Sequence, residues 1–238
     1  MTVIQRFWAM IFPRRCPFCG RILPLGEIVC QGCERHLFRF EKPFLLSEDG
    51  KEFSCFVPYS YEKEVRRAVL DLKYHRKAEN ALVFARAAVK MMADSKYDAV
   101  VCVPDSRRYR RTSQERIARE TAGLLGIPLI HPLRKDRGVP RQHDLTEDER
   151  KINVQHAYHP KNGAALNGAS CLLIDDIVTT GSTLTACAAA LFQAGAGSVA
   201  LCAAAKTPRK DGKDGRFRIA GRQNVPFFRP DTEKITEK

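Results

Sequence analysis

Two adjacent carboxylates, Asp175 and Asp176, follow the apolar run 171–174 and stand directly before Thr179, Thr180, Gly181, Ser182 and Thr183. The apolar run is too short for a helix and is bounded by the polar residues 167–170, which predicts a buried strand of a parallel sheet closed by the two acids. Residues 184–194 then read as a helix. A strand, a turn of small hydroxylated residues and a helix N-terminus form a cradle for an anion, because unpaired N–H groups and the helix dipole both favour phosphate there. Carboxylates beside a bound phosphate would repel it unless they serve another part of the same ligand. A sugar phosphate meets that condition: the turn takes the phosphate, while Asp175 and Asp176 accept hydrogen bonds from ribose hydroxyls, directly or through Mg²⁺. The plainer alternative is that the acids end a strand and Thr180 to Ser182 cap a helix.

The stretch resembles the phosphoribosyl-pyrophosphate (PRPP) loop of type I phosphoribosyltransferases, in which two acidic residues precede a turn containing Thr and Gly. That resemblance implies Asp175 and Asp176 at the ribose and Mg²⁺, and residues 179–183 at the 5′-phosphate. Purine-salvage enzymes of the hypoxanthine-guanine kind carry an acidic residue where this chain has Thr179. A threonine cannot accept a proton near neutral pH, which disfavours that specificity.

A second set of reactive side chains lies near the N-terminus, where Cys16-Pro-Phe-Cys19-Gly is followed by Cys30-Gln-Gly-Cys33. Two thiolates separated by two residues can turn onto one ion, and Gly20 and Gly32 permit the tight backbone. Four thiolates complete a tetrahedral Zn²⁺ shell with no open position, so the expected role is structural. Two disulfides or a redox pair are the alternatives; a reducing compartment disfavours the first, and the second needs no second copy. A module this small holds too few apolar residues to fold alone, and metal binding would supply its folding free energy.

The remaining elements must position these groups. The chain has 238 residues, enough for one domain of ordinary size plus an appendage, and a formal net charge of +13. That charge points to anionic partners: nucleic acid, an acidic membrane surface or a highly phosphorylated small ligand. No apolar run reaches the roughly 18 to 20 residues that span a bilayer. Residues 2–12 make a poor signal peptide, since Arg6 interrupts them and no small-residue cleavage site follows, so a cytoplasmic location is expected. Cys102, Cys171, Cys187 and Cys202 sit inside apolar elements, as buried small hydrophobes do.

In chain order, residues 41–54 read as a charged linker and residues 55–61 as an aromatic strand. Residues 62–74 show Val65, Ala68, Val69 and Leu72 at helical spacing, with Lys63, Arg66, Arg67 and Lys73 on other faces. A further helix covers 79–92, with Met91 and Met92 as core filler. Residues 98–104 form another buried strand that opens into a basic loop holding Arg107, Arg108, Arg110 and Arg111. At the carboxyl edge of an α/β sheet these could meet pyrophosphate or a nucleic-acid backbone, or belong to a solvated loop. Thr112 and Glu115 form a capping box for a helix ending at Gly126, and 127–130 is a short strand. Residues 133–144 are basic and precede a capping box at Thr146 and Glu149, a composition that suits a lid over a polyanion or an idle loop. Residues 198–205 are a last apolar strand. From Lys206 onward the chain is basic and poor in apolar periodicity, which predicts a mostly disordered tail.

The pairing of cysteine knuckles with the acidic loop resembles the ComF family of competence-associated proteins. Leu72-Lys73-Tyr74, Val103-Pro104, Arg107-Arg108 and residues 142–154 extend the likeness over roughly 14–205. The stretch after Val103-Pro104 is shorter than in that family, and the basic tail lies outside its pattern. The resemblance implies an α/β chain: a parallel-sheet, type I phosphoribosyltransferase fold flanked by helices, with an N-terminal zinc ribbon. It divides the chain into a zinc-ribbon module at 1–40, a linker at 41–54, a phosphoribosyltransferase-like domain at 55–205 and the tail at 206–238. It further implies Mg–PRPP or a related sugar phosphate as ligand, Arg107 and Arg108 at the pyrophosphate, and a part in DNA uptake and natural competence. Two other readings stay open: a non-catalytic accessory protein that handles single-stranded DNA with a vestigial nucleotide site, and a phosphoribosyltransferase of nucleotide metabolism with an unidentified acceptor.

Overall fold

The computed structural model describes residues 13–37, 40, 42–48, 50–75, 77–92, 95–105, 112–136, 157–208 and 217–219. At its centre is β8 (Ser170–Val178), paired in parallel with β9 (Ser198–Lys206) on one side and with β4 (Ala99–Cys102) on the other. Strand β4 also pairs in parallel with β5 (Leu129–Ile130). A strand flanked on both sides and covered on both faces must be apolar throughout, which is why 171–174 shows no alternation. Its residues still alternate in direction: Leu172 and Ile174 join one core, Cys171 and Leu173 the other.

After the short α1 (Gln31–Leu37), the first core is capped by α2 (Lys63–Tyr74), α3 (Asn80–Met91) and α4 (Ser113–Leu125). The start and stop of α4 follow the sequence signals closely. The Thr112 side chain accepts from the Glu115 amide at 3.4 Å, and Gly126 ends the helix with φ of 69°. The second core packs α5 (Ser182–Gln193) against the opposite face, with Leu133 and Tyr158 from a separate antiparallel ribbon formed by β6 (Leu133–Lys135) and β7 (Tyr158–Pro160).

Three expectations are corrected. Strand β8 runs through Val178, paired with β9 along that length, so Asp175 and Asp176 lie within the strand instead of closing it. Residues 41–54, expected as a linker, contain β1 (Phe44–Glu48) and the start of β2 (Lys51–Phe56), an antiparallel pair in which Glu48 faces Lys51. Its two-residue connection, Asp49-Gly50, is a strong hairpin signal in the sequence, and Gly50 adopts the φ of 75° such a turn uses. Strand β2 joins β9 in parallel, and β3 (Tyr59–Ser60) extends the same edge. Within the expected disordered tail, β10 (Phe217–Ile219) pairs with β1 and covers what would be an open edge. Lys206, expected as the first tail residue, is the last of β9 and buried.

The cysteine module does not have a core of its own. Phe18, between Cys16 and Cys19, is 0 % exposed, and its ring lies 5.4 Å from that of Tyr59 and 6.1 Å from that of Phe84 on α3. Cys16, Leu23 and Cys30 belong to the same apolar cluster as α2 and α3. Two pairs of cysteines contribute too little apolar surface to close a core, so the module borrows one. Truncating Phe18 to Ala should therefore destabilise the whole domain by about 3 to 5 kcal/mol in urea unfolding followed by circular dichroism. A loss confined to the N-terminal module would show that the two cores are independent.

Candidate functional site

A cleft of about 380 Å³ opens at the carboxyl ends of β4 and β8, where parallel sheets present their ligand sites. Asp175, Asp176 and Thr183 line it, and Val103, Pro104 and Asp105 form its rim beyond β4. Strand alternation sends the two acids apart. Asp176, 6 % exposed, meets the helices of the first core: the Ser113 hydroxyl, in the first turn of α4, donates to its Oδ2, and Lys73 Nζ from α2 lies 3.3 Å from the same oxygen. Asp175 feels Lys135 of β6 as well as Lys73, and its Oδ1 accepts the Asp176 amide at 2.8 Å.

Charge accounts for the protonation of this group of residues. Burial, and then the neighbouring Asp176 carboxylate, push Asp175 up to about 7 despite its backbone hydrogen bond and the two lysines. Burial works against the Lys73 ammonium, but Asp176 and then Asp175 outweigh it and hold its pKa above the ordinary lysine value. Asp175 thus holds its proton more tightly than a free carboxylate, and a bound cation would favour its ionised form. Burial pushes the Cys102 and Cys187 thiols up, with Glu115 adding to the first and Asp175 to the second. Both stay neutral near pH 7 and are poor nucleophiles.

The turn after β8 is shaped by a close approach. Gly181 has φ of 83°, and a Cβ there would sit 2.5 Å from Leu46 Cδ2 of β1. Only glycine meets both demands. Thr180 Oγ1 accepts the Ser182 amide at 3.4 Å and lies 3.1 Å from Ser182 Oγ, while Thr185 Oγ1 donates to the Gly181 carbonyl at 3.3 Å. The hairpin read as a linker is therefore the floor of the turn.

Of the site residues named from sequence, Asp175, Asp176 and Thr183 line the cleft, while 179–181 form the turn after β8 and Ser182 opens α5. Arg107, Arg108 and the segment 137–156 lie outside the described residues. Lys73, Ser113, Lys135 and Tyr158 were not assigned to the site. Lys73 was read as part of a polar helix face, Ser113 stood inside a capping box, and Lys135 lay in a basic run whose direction only the β6–β7 ribbon sets.

The thiol cluster is compact. One sulfur from each of Cys16, Cys19, Cys30 and Cys33 lies within 4.8 Å of every other, and Cys19 and Cys30 Sγ are 3.7 Å apart. A tetrahedral zinc with Zn–S bonds of about 2.3 Å requires sulfur separations of roughly 3.8 Å. The donors fit that ion. The Cys33 amide also lies 3.5 Å from Cys30 Sγ, the kind of N–H contact that steadies a bound thiolate.

A phosphoribosyl transferase domain model matches residues 78–219. The chain belongs to the phosphoribosyl transferase domain family. A double zinc ribbon model matches residues 7–44, which with the four-thiol cluster supports a structural zinc. DNA utilization protein YhgH of Salmonella typhi is 26% identical over 203 residues, 77% of this chain and 80% of that protein. Competence protein ComFC of Bacillus subtilis (strain 168) is 29% identical over 184 residues, 76% of this chain and 72% of that protein. Transcriptional regulator GfcR of Methanococcoides burtonii is 29% identical over 96 residues, 40% of this chain and 47% of that protein. The two domains together with the first two relatives support membership of the ComF family. Among the described residues, no helix is long and apolar enough to cross a membrane.

Two outcomes follow from this geometry. Because the thiol cluster shares the core of α2 and α3, chelation of zinc should lower the thermal midpoint of the entire domain, and an unchanged midpoint in metal-stripped protein would contradict the shared core. In the metal-free protein, Asp175 has a folded pKa raised from 3.8 to about 7, so the folded state holds the proton more tightly. Its contribution to stability is full below pH 4 and is lost as pH rises through 7, with a slope of at most about 1.4 kcal/mol per pH unit. Asp175→Asn should flatten urea-derived stability across that window, and an identical slope in the variant would assign the effect elsewhere.

Proposed function

We propose that this chain is a ComF-like phosphoribosyltransferase-domain protein that binds Mg–PRPP, or a related sugar phosphate, and takes part in handling DNA during uptake. The observation that carries the reading is the adjacency of Asp175 and Asp176 to the turn built on Gly181, in one cleft with Lys73 and Lys135. The turn and the N-terminus of α5 suit a 5′-phosphate, and the paired acids suit ribose hydroxyls. Mg²⁺ would neutralise the acids and the pyrophosphate together, and Asp175 and Asp176 are the side chains that would approach it.

In a transfer reaction, an acceptor lone pair would form a bond to the anomeric carbon as its bond to pyrophosphate oxygen breaks, and pyrophosphate would leave with that electron pair. Lys73 is the described cation best sited to offset the charge developing on the leaving group, and Arg107 and Arg108 are proposed to assist it. The acids would stabilise the ribose as it gains oxocarbenium character. None of the lining residues defines an acceptor class.

The net charge of +13 and the relative named as a DNA utilization protein favour a second reading, an accessory protein that binds single-stranded DNA while its nucleotide site serves as a sensor or relic. Its signature is affinity that falls by roughly 0.7 log units per phosphate contact for each log unit of salt.

Calorimetry of PRPP with Mg²⁺ against wild type and an Asp175→Asn, Asp176→Asn double variant separates these readings. Wild type should bind, and the variant should lose most of that affinity, because hydrogen bonds to charged groups contribute about 1.5 to 3 kcal/mol each. A folded variant that binds as tightly would reduce the acids to structural residues. Wild type that binds single-stranded DNA but not PRPP would favour the accessory protein.

A further inference from the structure

Helix α2 touches both ends of the molecule's chemistry. In its first half, Val65 and Ala68 share an apolar cluster with Cys16 and Phe18, and the Arg67 guanidinium donates to the Phe18 carbonyl. That carbonyl belongs to the knuckle turn itself, whose Gly20 amide donates to the Cys16 carbonyl at 2.9 Å and whose Cys16 amide donates to that of Arg21 at 2.8 Å. At the far end, Lys73 reaches Asp176 at 3.3 Å. Lys73 stands six positions beyond Arg67 on continuous helix, about 9 Å of axial rise, which transmits displacement as a rod.

Val65, Val69 and Leu72 bury the apolar stripe of α2, and the buried Asn80 side chain donates to the Ala68 carbonyl at 3.0 Å. The Leu72 carbonyl accepts from Arg116 of α4 at 3.3 Å, a contact near the Lys73 end. Arg67 and the Phe18 carbonyl form the polar contact that ties the first half of α2 to the knuckle turn. The knuckle and α2 also line one cleft of about 640 Å³, with Cys16, Cys19, Arg67 and Asp71 among its walls.

We propose that the cysteine knuckle sets the position of Lys73 through α2, with Arg67 as the positioning residue, so that occupancy of the thiol cluster is communicated to the sugar-phosphate site. The ligand named here rests on the proposed function; the mechanical coupling does not. With the four thiolates gathered on an ion, the turn holds the Phe18 carbonyl toward Arg67 and the helix keeps Lys73 on Asp176. When the ion is lost the turn relaxes, Arg67 loses its acceptor, and Lys73 is no longer held against the carboxylate that binds the ribose side. Loss of zinc would then weaken the site before the domain unfolds.

The test uses the full chain carrying Arg67→Met, Arg67→Lys, Lys73→Met and the Arg67→Met, Lys73→Met pair, each checked for one zinc per chain. Arg67→Met should bind Mg–PRPP on the order of tenfold more weakly than wild type, in the usual range for coupled sites. Arg67→Lys, which keeps a donor, should recover part of the loss. In the Lys73→Met background, Arg67→Met should add nothing, because the coupling runs through Lys73. An equal loss in both backgrounds, or no loss in either, overturns the proposal. Hydrogen exchange of the peptide spanning Lys73 gives a ligand-free readout: faster exchange in zinc-stripped and Arg67→Met protein supports the coupling, and unchanged exchange overturns it. Wild type that fails to bind PRPP refutes the ligand assignment alone, and the exchange experiment then decides the coupling. Should Arg67→Met fail to fold, Arg67→Gln, which keeps the length of the stem but not the charge, takes its place in the same comparison.

Discussion

Two carboxylates in sequence on a buried central strand impose the constraint around which this molecule is built. Adjacent strand residues face opposite sides of the sheet, so Lys73 pairs directly with Asp176 and reaches Asp175 only through its charge. Each face supplies its own groups: Lys73 and Ser113 from the helices of one layer, Lys135 from the ribbon over the other. Removing such compensation leaves a buried charge exposed to the full cost of desolvation. Elements far apart in the chain must therefore arrive together for the central strand to end as it does.

The turn that follows is constrained by shape as much as by charge. Gly181 is pressed against Leu46, and Glu48 lies 3.5 Å from the Thr185 hydroxyl in the first turn of α5. The β1–β2 hairpin thus braces the anion cradle from below. That brace in turn depends on β2 joining β9, and on β10 shielding the outer face of β1. A sheet edge and a ligand loop usually have separate requirements; here one hairpin satisfies both.

How far the sequence could be read follows from the range of each interaction. The strand, turn and helix around 171–194, the capping box at Thr112 and Glu115, and the stop at Gly126 are local patterns, and each appears in the structure, though the strand runs on past its two acids to Val178. The cysteine cluster was legible because ligand spacing is itself local. The hairpin at 44–56 was obscured by its charged residues, although Phe44, Leu46, Phe53 and Cys55 mark its buried positions and Asp49-Gly50 marks its turn. Lys73, Ser113 and the burial of Phe18 in the main core depend on contacts between segments that no local pattern records. A lysine on an amphipathic helix is usually solvated, and only the meeting of α2 with β8 makes this one part of a site.

The pairing of β2 with β9 has a consequence for the order of assembly. Phe56 lies opposite Cys202, so the hairpin that supports the cradle cannot take its place during synthesis until nearly all of the domain has emerged from the ribosome. Contacts this distant in sequence are slow to form, and an apolar hairpin awaiting its partner strand exposes the surface that drives misassociation. The knuckle emerges early but cannot bury Phe18 until α3 has followed it. The nascent chain must thus carry two incomplete apolar surfaces, one at the knuckle and one at the hairpin, and β9 closes the second only late in translation.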